Sequence, residues 1–369
     1  MRKNFLAQCI LVLASPVLLA AAAETPKPAE AATVSGNTTA ANNSAAENPT
    51  RAAFLKLIDQ PRVPLAPESK DLGEADGLQQ YHFTFAAAQD QRVTGLLTEP
   101  AKRTGRLPVV IMLHGTGGKK EDLRAQMTAY AQVGFIAVAI DARYHGERAG
   151  GAAGSTAYQN AILAAWQKGG AHPFFYDTAW DVMRLVDYLD TRDDVDPKRL
   201  GLMGVSMGGI ETYLTAAADP RIAVVVPFIS LESFKWALDH DLWSHRTETI
   251  PLALSAAAQE AGVAQIDAAF VRKFYDKVAP GIYGQFDGPA MATLIAPRPM
   301  LAINGANDLR TPIEGVNECL DAAKPIYHAA NADDRLVYIA QPNTAHAVKP
   351  ESYVAAREWF VKWLKPEAK

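Results

Sequence analysis

The fold of this 369-residue chain is decided by the stretch Leu200-Gly201-Leu202-Met203-Gly204-Val205-Ser206-Met207-Gly208-Gly209-Ile210. It contains the pattern Gly-x-Ser-x-Gly between a short apolar run and a helix-compatible run. A serine on such a strand-to-helix turn is held in a strained backbone position, where side chains in place of the flanking glycines would collide with neighbouring elements. The turn exposes the Ser206 hydroxyl and aims the Met207 N–H at a developing oxyanion. The pattern therefore predicts a nucleophilic serine; the alternative is a glycine-rich turn with an incidental serine.

Apolar runs alternate with helical patterns along the rest of the chain. Continuous apolar strands separated by helices form a parallel sheet covered on both faces, so the predicted class is α/β. Ahead of these runs, residues 79–84 and 92–97 predict an antiparallel pair at the sheet edge. Besides the strand that leads into the serine turn, the predicted parallel strands cover residues 108–113, 135–140, 222–229, 300–303 and 336–339.

A nucleophilic serine needs a histidine base, and the base needs an orienting carboxylate. In a sheet of this kind the acid and then the histidine follow the serine along the chain, each after a strand. Asp308 follows the strand at 300–303, and His346 follows the last strand. Asp308 could instead cap a turn. Its position predicts Ser206, Asp308 and His346 as a catalytic triad that transfers an acyl group in two steps.

Two backbone N–H groups are predicted to form the oxyanion hole. One belongs to Met207. The other belongs to Thr116, in the glycine-rich loop His114-Gly115-Thr116-Gly117-Gly118 that follows the strand at 108–113. We expect His114 to brace this loop. The polar segment 141–148 is predicted to be structural, with an Asp141–Arg143 ion pair and with His145 bracing the serine turn; the alternative is that it lines the substrate pocket.

The N-terminus predicts export. A short basic start, an apolar run and four alanines make residues 1–23 resemble a secretory signal peptide. The apolar run is too short to favour a stable membrane anchor. Residues 24–50 lack hydrophobic periodicity and predict a disordered linker. The expected location is periplasmic or extracellular.

Composition limits the possible partners of the mature chain. The formal net charge of −4 becomes −6 once Arg2 and Lys3 are removed, and no basic cluster remains, which argues against nucleic acid. Removal of Cys9 leaves Cys319 alone, so we expect a buried apolar thiol and no disulfide. The roughly 320 residues from 51 to 369 suffice for one large domain.

Residues 231–294 are longer than a crossover between two core strands needs. Their aromatic content predicts a mostly helical insertion. It could cover the active-site end of the sheet or form a structural lobe without ligand contact, and both interpretations stay open here.

Together these motifs resemble the α/β-hydrolase family, over about residues 79–364. Within it the chain is similar to the branch of acetyl xylan esterases, cephalosporin deacetylases, dienelactone hydrolases and prolyl-oligopeptidase catalytic domains. The resemblance implies the triad and oxyanion groups named above, and no metal or organic cofactor. Dienelactone hydrolases use a cysteine, unlike Ser206. The segments that carry the resemblance are residues 93–97, 114–118, 141–146, 193–200 and 295–299.

The resulting hypothesis is a secreted serine hydrolase that cleaves small-molecule or saccharide esters, including acetyl esters. A serine peptidase or amidase on the same scaffold is the alternative. It is disfavoured because residues 51–78 contain no repeats of a propeller domain. A non-catalytic binding protein is a third possibility, which the complete triad opposes. The sequence assigns neither substrate-binding residues nor an oligomeric state.

Overall fold

The computed structural model describes residues 48–151 and 154–365. The predicted signal peptide and all but the last residues of the predicted linker lie outside this range. The first helix, α1, spans Pro49–Ile58, so the folded part begins slightly earlier than residue 51. Asn48 caps this helix by accepting hydrogen bonds from the N–H groups of Thr50 and Arg51.

One nine-stranded sheet forms the centre of the described chain. Its order is β1-β2-β3-β5-β4-β6-β7-β8-β9. The strands from β4 to β9 are parallel to one another. Strands β1, β2 and β3 form an antiparallel extension that joins β5. The strands are β1 (Glu68–Ala75), β2 (Leu78–Ala88), β3 (Gln91–Pro100), β4 (Leu107–Leu113), β5 (Ile136–Ile140), β6 (Val195–Val205), β7 (Ile222–Phe228), β8 (Met300–Gly305) and β9 (Leu336–Gln341).

Helices cover both faces of this sheet. Because successive side chains of a strand point to opposite faces, Val109 and Ile111 join one core and Val110 and Met112 the other. This is the predicted α/β arrangement. The remaining helices are α2 (Arg124–Ala131), α3 (Thr156–Lys168), α4 (Tyr176–Asp190), α5 (Met207–Ala218), α6 (Phe234–Asp239), α7 (Trp243–Thr247), α8 (Pro251–Glu260), α9 (Ala268–Val278), α10 (Gly288–Ile295), α11 (Ile313–Ala329) and α12 (Pro350–Leu364).

The antiparallel extension is larger than predicted. β2 and β3 contain the predicted pair, but β1 lies outside them as the edge strand. All eight residues of β1 are exposed, so they carry no alternation of apolar and polar side chains that would reveal a strand.

The predicted insertion is mostly helical, as expected, and contains five helices, α6 to α10. Most of its aromatic side chains are buried and belong to the same core as the sheet, among them Phe234, Phe274, Tyr275 and Phe286. The insertion is therefore part of the hydrophobic core. Cys319 in α11 is also buried, as expected. None of the helices in the described part of the chain has the length and hydropathy needed to cross a membrane.

Helix α1 ties two distant segments together. The Arg51 side chain donates a hydrogen bond of 2.7 Å to the carbonyl oxygen of Ala217, near the end of α5. It donates another of 2.8 Å to the carbonyl oxygen of Leu294 in α10. Phe54 is fully buried on the same helix and packs edge-on against Phe286. Helix α1 is thus an integral part of the domain.

Candidate active site

The turn between β6 and α5 holds Ser206 in a rarely populated backbone conformation. Its φ of 56° and ψ of −113° are strained for a residue with a side chain. Gly208 makes the turn possible, because a Cβ there would lie 2.6 Å from the carbonyl oxygens of Leu113 and His114. A Cβ on Gly204 would overlap Gly208 itself. The two glycines therefore bring the serine turn against the loop after β4.

Three loops bring the predicted triad together at the carboxyl ends of the parallel strands. Ser206 Oγ lies 2.8 Å from His346 Nε2, and His346 Nδ1 lies 2.7 Å from Asp308 Oδ2. Asp308 follows β8 and His346 follows β9, in the order that the sequence predicted. The side chain of Asp308 is 1% exposed and that of His346 is 17% exposed. The serine thus contacts a base whose other nitrogen faces a buried carboxylate.

The surroundings of Asp308 favour its ionised form. Burial by itself would raise the pKa of this carboxyl, but hydrogen bonds outweigh burial and hold the pKa below its usual value. Besides His346, the donors are the Thr311 hydroxyl at 2.6 Å and the Arg310 N–H at 2.9 Å. Asp308 therefore also organises its own turn, which was the alternative to catalysis.

The predicted oxyanion groups lie at the same place. Thr116 and Met207 both line a small cavity together with Ser206 and His346. Met207 is the first residue of α5, so its N–H has no partner within the helix. This is the placement that an oxyanion hole requires, with one donor from each of the two loops that Gly208 holds together. Their role in stabilising charge stays a prediction.

The predicted Asp141–Arg143 ion pair is wrong. Asp141 Oδ2 instead accepts a hydrogen bond of 2.8 Å from the fully buried Lys120 ammonium, which lies just after the glycine-rich loop. Arg143 turns the other way and forms two hydrogen bonds of 2.9 Å with Asp181 of α4. The chain bends after β5, so charges two residues apart point into different layers. Segment 141–148 has a structural role, as predicted, but its charged side chains pair with residues that are distant in the sequence.

His114 braces its loop, as expected. Its Nε2 accepts a 3.1 Å hydrogen bond from the Ala142 N–H, and its Nδ1 lies 2.8 Å from the carbonyl oxygen of Gly115. The ring centroids of His145 and His114 lie 5.1 Å apart. Among the described residues His145 has no hydrogen bond to the serine turn, and its Nδ1 instead lies 2.9 Å from the carbonyl oxygen of Arg143, so the predicted brace of that turn is not made by a hydrogen bond. The pKa of His145 is lowered to about 4, mainly because the ring is buried and secondly because His114 lies nearby.

The cavity beside Ser206 also contains residues that sequence reasoning missed. Its volume is about 20 Å³, enough for roughly one water-sized group. One wall comes from the insertion, which therefore reaches the candidate site as well as the core. No motif marks these residues, because their role depends on how the insertion packs. The missed residues are Phe175, Ile210, His245, Arg246, Thr249 and Arg310.

Comparison with known sequences identifies the family. The model of the family described as acetyl xylan esterase (AXE1) matches residues 61–250. The chain belongs to the acetyl xylan esterase (AXE1) family. Two relatives are YtaP of Bacillus subtilis (strain 168) and the acetyl esterase Axe7A of Xylanibacter ruminicola. YtaP is 26% identical over 74% of this chain and 84% of YtaP. Axe7A is 29% identical over 47% of this chain and 42% of Axe7A.

Solved structures agree with this family in fold. Acetyl xylan esterase 1 from Thermoanaerobacterium sp. JW/SL YS485 superimposes with a TM-score of 0.65 at 20% identity, covering 85% of this chain and 93% of that one. A glucuronoyl esterase from Solibacter usitatus gives 0.58 at 16% identity, covering 84% and 91%. Both have the α/β-hydrolase fold that the motifs predicted. As a member of the acetyl xylan esterase family, the chain is a carboxylic ester hydrolase.

Proposed function

We propose that this ester hydrolase works through an acyl-enzyme formed on Ser206. The observation that carries the proposal is the continuous contact from Ser206 Oγ through the imidazole of His346 to the carboxylate of Asp308. A hydroxyl is a weak nucleophile at neutral pH, and an adjacent oriented imidazole is the group that activates it.

In the first step, Ser206 Oγ attacks the ester carbonyl carbon while His346 Nε2 takes the hydroxyl proton. The N–H groups of Thr116 and Met207 stabilise the oxyanion. The carbon–oxygen bond of the ester then breaks, and His346 returns the proton to the leaving alcohol. Asp308 holds the imidazole in the required tautomer and stabilises its charged form. In the second step, water attacks the acyl-enzyme with the same proton transfers and releases the acid and free Ser206.

The preferred acyl group is proposed to be small. The cavity beside Ser206 has a volume of only about 20 Å³, so we expect short acyl groups to be accommodated better than long ones. An acetyl group is among the small acyl groups, and the relative Axe7A is named as an acetyl esterase. Acetylated saccharides or other small acetyl esters are therefore the substrate class we propose.

We further propose that the enzyme acts after export, because residues 1–23 have the basic, apolar and alanine-rich pattern of a signal peptide. Fractionation of cells that express the full chain, with N-terminal sequencing of the product, tests this. A product that stays in the cytoplasm with Met1 intact would contradict it.

A series of p-nitrophenyl esters from acetate to octanoate, assayed with the wild type and Ser206→Ala, tests the catalytic proposal. We expect kcat/KM to fall at least about tenfold from acetate to octanoate. In the folded Ser206→Ala protein, kcat should fall about 10⁴-fold or more. Wild-type rates in this variant would disprove the proposed nucleophile. Faster turnover of aminoacyl-anilides than of esters would favour the amidase alternative.

A further inference from the structure

The insertion places one guanidinium at the candidate active site. Arg246, in α7, lines the same cavity as Ser206 and His346, although its side chain is only 8% exposed. An arginine this buried is uncommon unless its charge is compensated or used. The contacts of this side chain show which of its nitrogen atoms have partners.

Two residues of the insertion, Glu232 and Phe234, contact the guanidinium. Nε lies 2.6 Å from Oε1 of Glu232, whose side chain is fully buried. The guanidinium carbon lies 4.2 Å from the ring centroid of Phe234, which is a cation–π arrangement. A buried ion pair of this kind contributes little net stability, because desolvation offsets the attraction between the charges. Together these contacts hold the guanidinium between Glu232 and the ring of Phe234.

The remaining edge of Arg246 is only partly used. Nη1 donates a 2.9 Å hydrogen bond to the carbonyl oxygen of Arg310. Nη2 has no hydrogen-bond acceptor among the described residues. A guanidinium presents its donors in a rigid planar fork that matches a carboxylate. The edge that carries Nη2 is thus a preformed donor site.

The arginines are the permanently charged side chains among the described residues of the cavity wall. Its basic groups are Arg246, Arg310, His245 and His346, and among the described residues that line it there is no aspartate or glutamate. Arg310 and His245 both contact the exposed Glu248 outside the lining. Of the two arginines, Arg246 is the one with a fully buried partner, Glu232. A carboxylate that enters this space would meet donors and no opposing acid.

We propose that Arg246 is a specificity residue that binds a carboxylate carried by the ester substrate. The substrate class is then an ester with a free carboxylate, either on the acyl side, as in a half-ester of a dicarboxylic acid, or on the alcohol side, as in an acylated hydroxy acid or uronic acid. This inference rests on the proposed function, because the carboxylate must be bound while Ser206 attacks the ester carbonyl.

Matched pairs of esters test the proposal on both sides of the bond. For the acyl side the pair is 4-nitrophenyl hemisuccinate and its methyl ester. For the alcohol side it is 4-acetoxybenzoate and its methyl ester, with acetate release as the readout. In each arm the measured quantity is the ratio of kcat/KM for the carboxylate form to that for the neutral form. The proteins are the wild type, Arg246→Gln, Arg246→Lys and the control Arg272→Gln, an exposed arginine of the same insertion.

We expect Arg246→Gln to lower this ratio about 10- to 100-fold in one arm, the size of a lost charge-assisted hydrogen-bonded pair. The arm that responds identifies the side of the ester that carries the carboxylate. Arg246→Lys should lower the ratio less, because it keeps the charge and loses the fork. Arg272→Gln should keep the wild-type ratio. A ratio within threefold of the wild type in both arms for Arg246→Gln would overturn the proposal.

A measurement on the wild type covers the case in which the Arg246 variants fail to fold. Succinate and benzoate should inhibit hydrolysis of a neutral acetyl ester competitively, and at least one should do so about tenfold better than its uncharged amide. Equal inhibition by acid and amide in both pairs would overturn the proposal. Loss of all ester hydrolysis in Ser206→Ala, together with unchanged ratios in Arg246→Gln, would reject the carboxylate site alone and leave the catalytic proposal intact.

Discussion

The catalytic loops and the insertion reach the same cavity by different physical routes. Ser206, Asp308 and His346 each follow a strand of one parallel sheet, so the sheet itself brings them together. Arg246 and its neighbours reach the cavity only because five helices pack into the core in one particular way. Strand order thus positions the proposed triad, whereas helix packing determines what surrounds it. The two regions should therefore respond differently to mutation.

The largest expected effect is on the catalytic side. Asp308→Asn keeps an acceptor for Thr311 but removes the charge that faces His346 Nδ1, and it permits the wrong imidazole tautomer. We expect kcat for p-nitrophenyl acetate to fall about 10⁴-fold with the fold intact. The matched control is Asp321→Asn, an exposed carboxylate of α11. A loss of less than tenfold for Asp308→Asn would show that the carboxylate serves only the turn.

The next contrast concerns glycines in the two regions. Gly208→Ala places a methyl group 2.6 Å from two backbone oxygens, so it should lower the free energy of unfolding by about 3 kcal/mol, although alanine is normally the better helix former. Gly284 lies in the insertion, and no atom lies within 4 Å of the position that a Cβ would occupy there, so Gly284→Ala should be neutral or stabilise by up to about 1 kcal/mol. Urea unfolding measures both. Equal effects would remove the proposed contrast.

A smaller effect on the free energy of unfolding is expected from His145, a buried residue in the loop after β5. Because the pKa of His145 is lowered to about 4 in the folded state, the unfolded chain binds the proton first as pH falls from 6.5 towards 4. Stability from this residue is therefore present above pH 6.5 and lost below it, by about 2 to 3 kcal/mol. His145→Gln should lose less stability than the wild type between pH 7 and 4.5 in urea unfolding. Parallel pH curves would contradict this.

The smallest effect should come from the rim, where the insertion meets the acid loop. Glu248 forms exposed ion pairs with Arg310 and His245. Surface pairs of this kind contribute about 0 to 1 kcal/mol, so Glu248→Gln should lower the free energy of unfolding by less than 1 kcal/mol, and less still in high salt. A loss above 2 kcal/mol would mean that this rim holds the insertion in place.

Sequence reasoning reached the features that chain order determines. The parallel strands, the serine turn and the positions of Asp308 and His346 all follow from apolar periodicity and from loops that begin at strand ends. The expectation that His114 braces its loop is also confirmed, through its contacts with Ala142 and Gly115.

The features it missed depend on contacts between segments far apart. The partner of Asp141 is Lys120, and the partner of Arg143 is Asp181, and neither pairing leaves a local pattern. The edge strand β1 carries no periodicity because both of its faces are exposed. Arg246 is one charged residue in an aromatic-rich stretch, and only the packed insertion reveals that it faces Ser206.

Helix α1 bears on where this domain can be cut. The family match begins at residue 61, yet Arg51 and Phe54 lie upstream of it and bind the end of α5 and the insertion. A fragment that begins at residue 61 would expose the buried surface under Phe54, and the carbonyl oxygens of Ala217 and Leu294 would lose the hydrogen bonds that Arg51 donates. Truncations for expression or domain grafting should therefore keep the chain from Asn48 onward. The packed domain begins there, upstream of residue 61, where the family match begins.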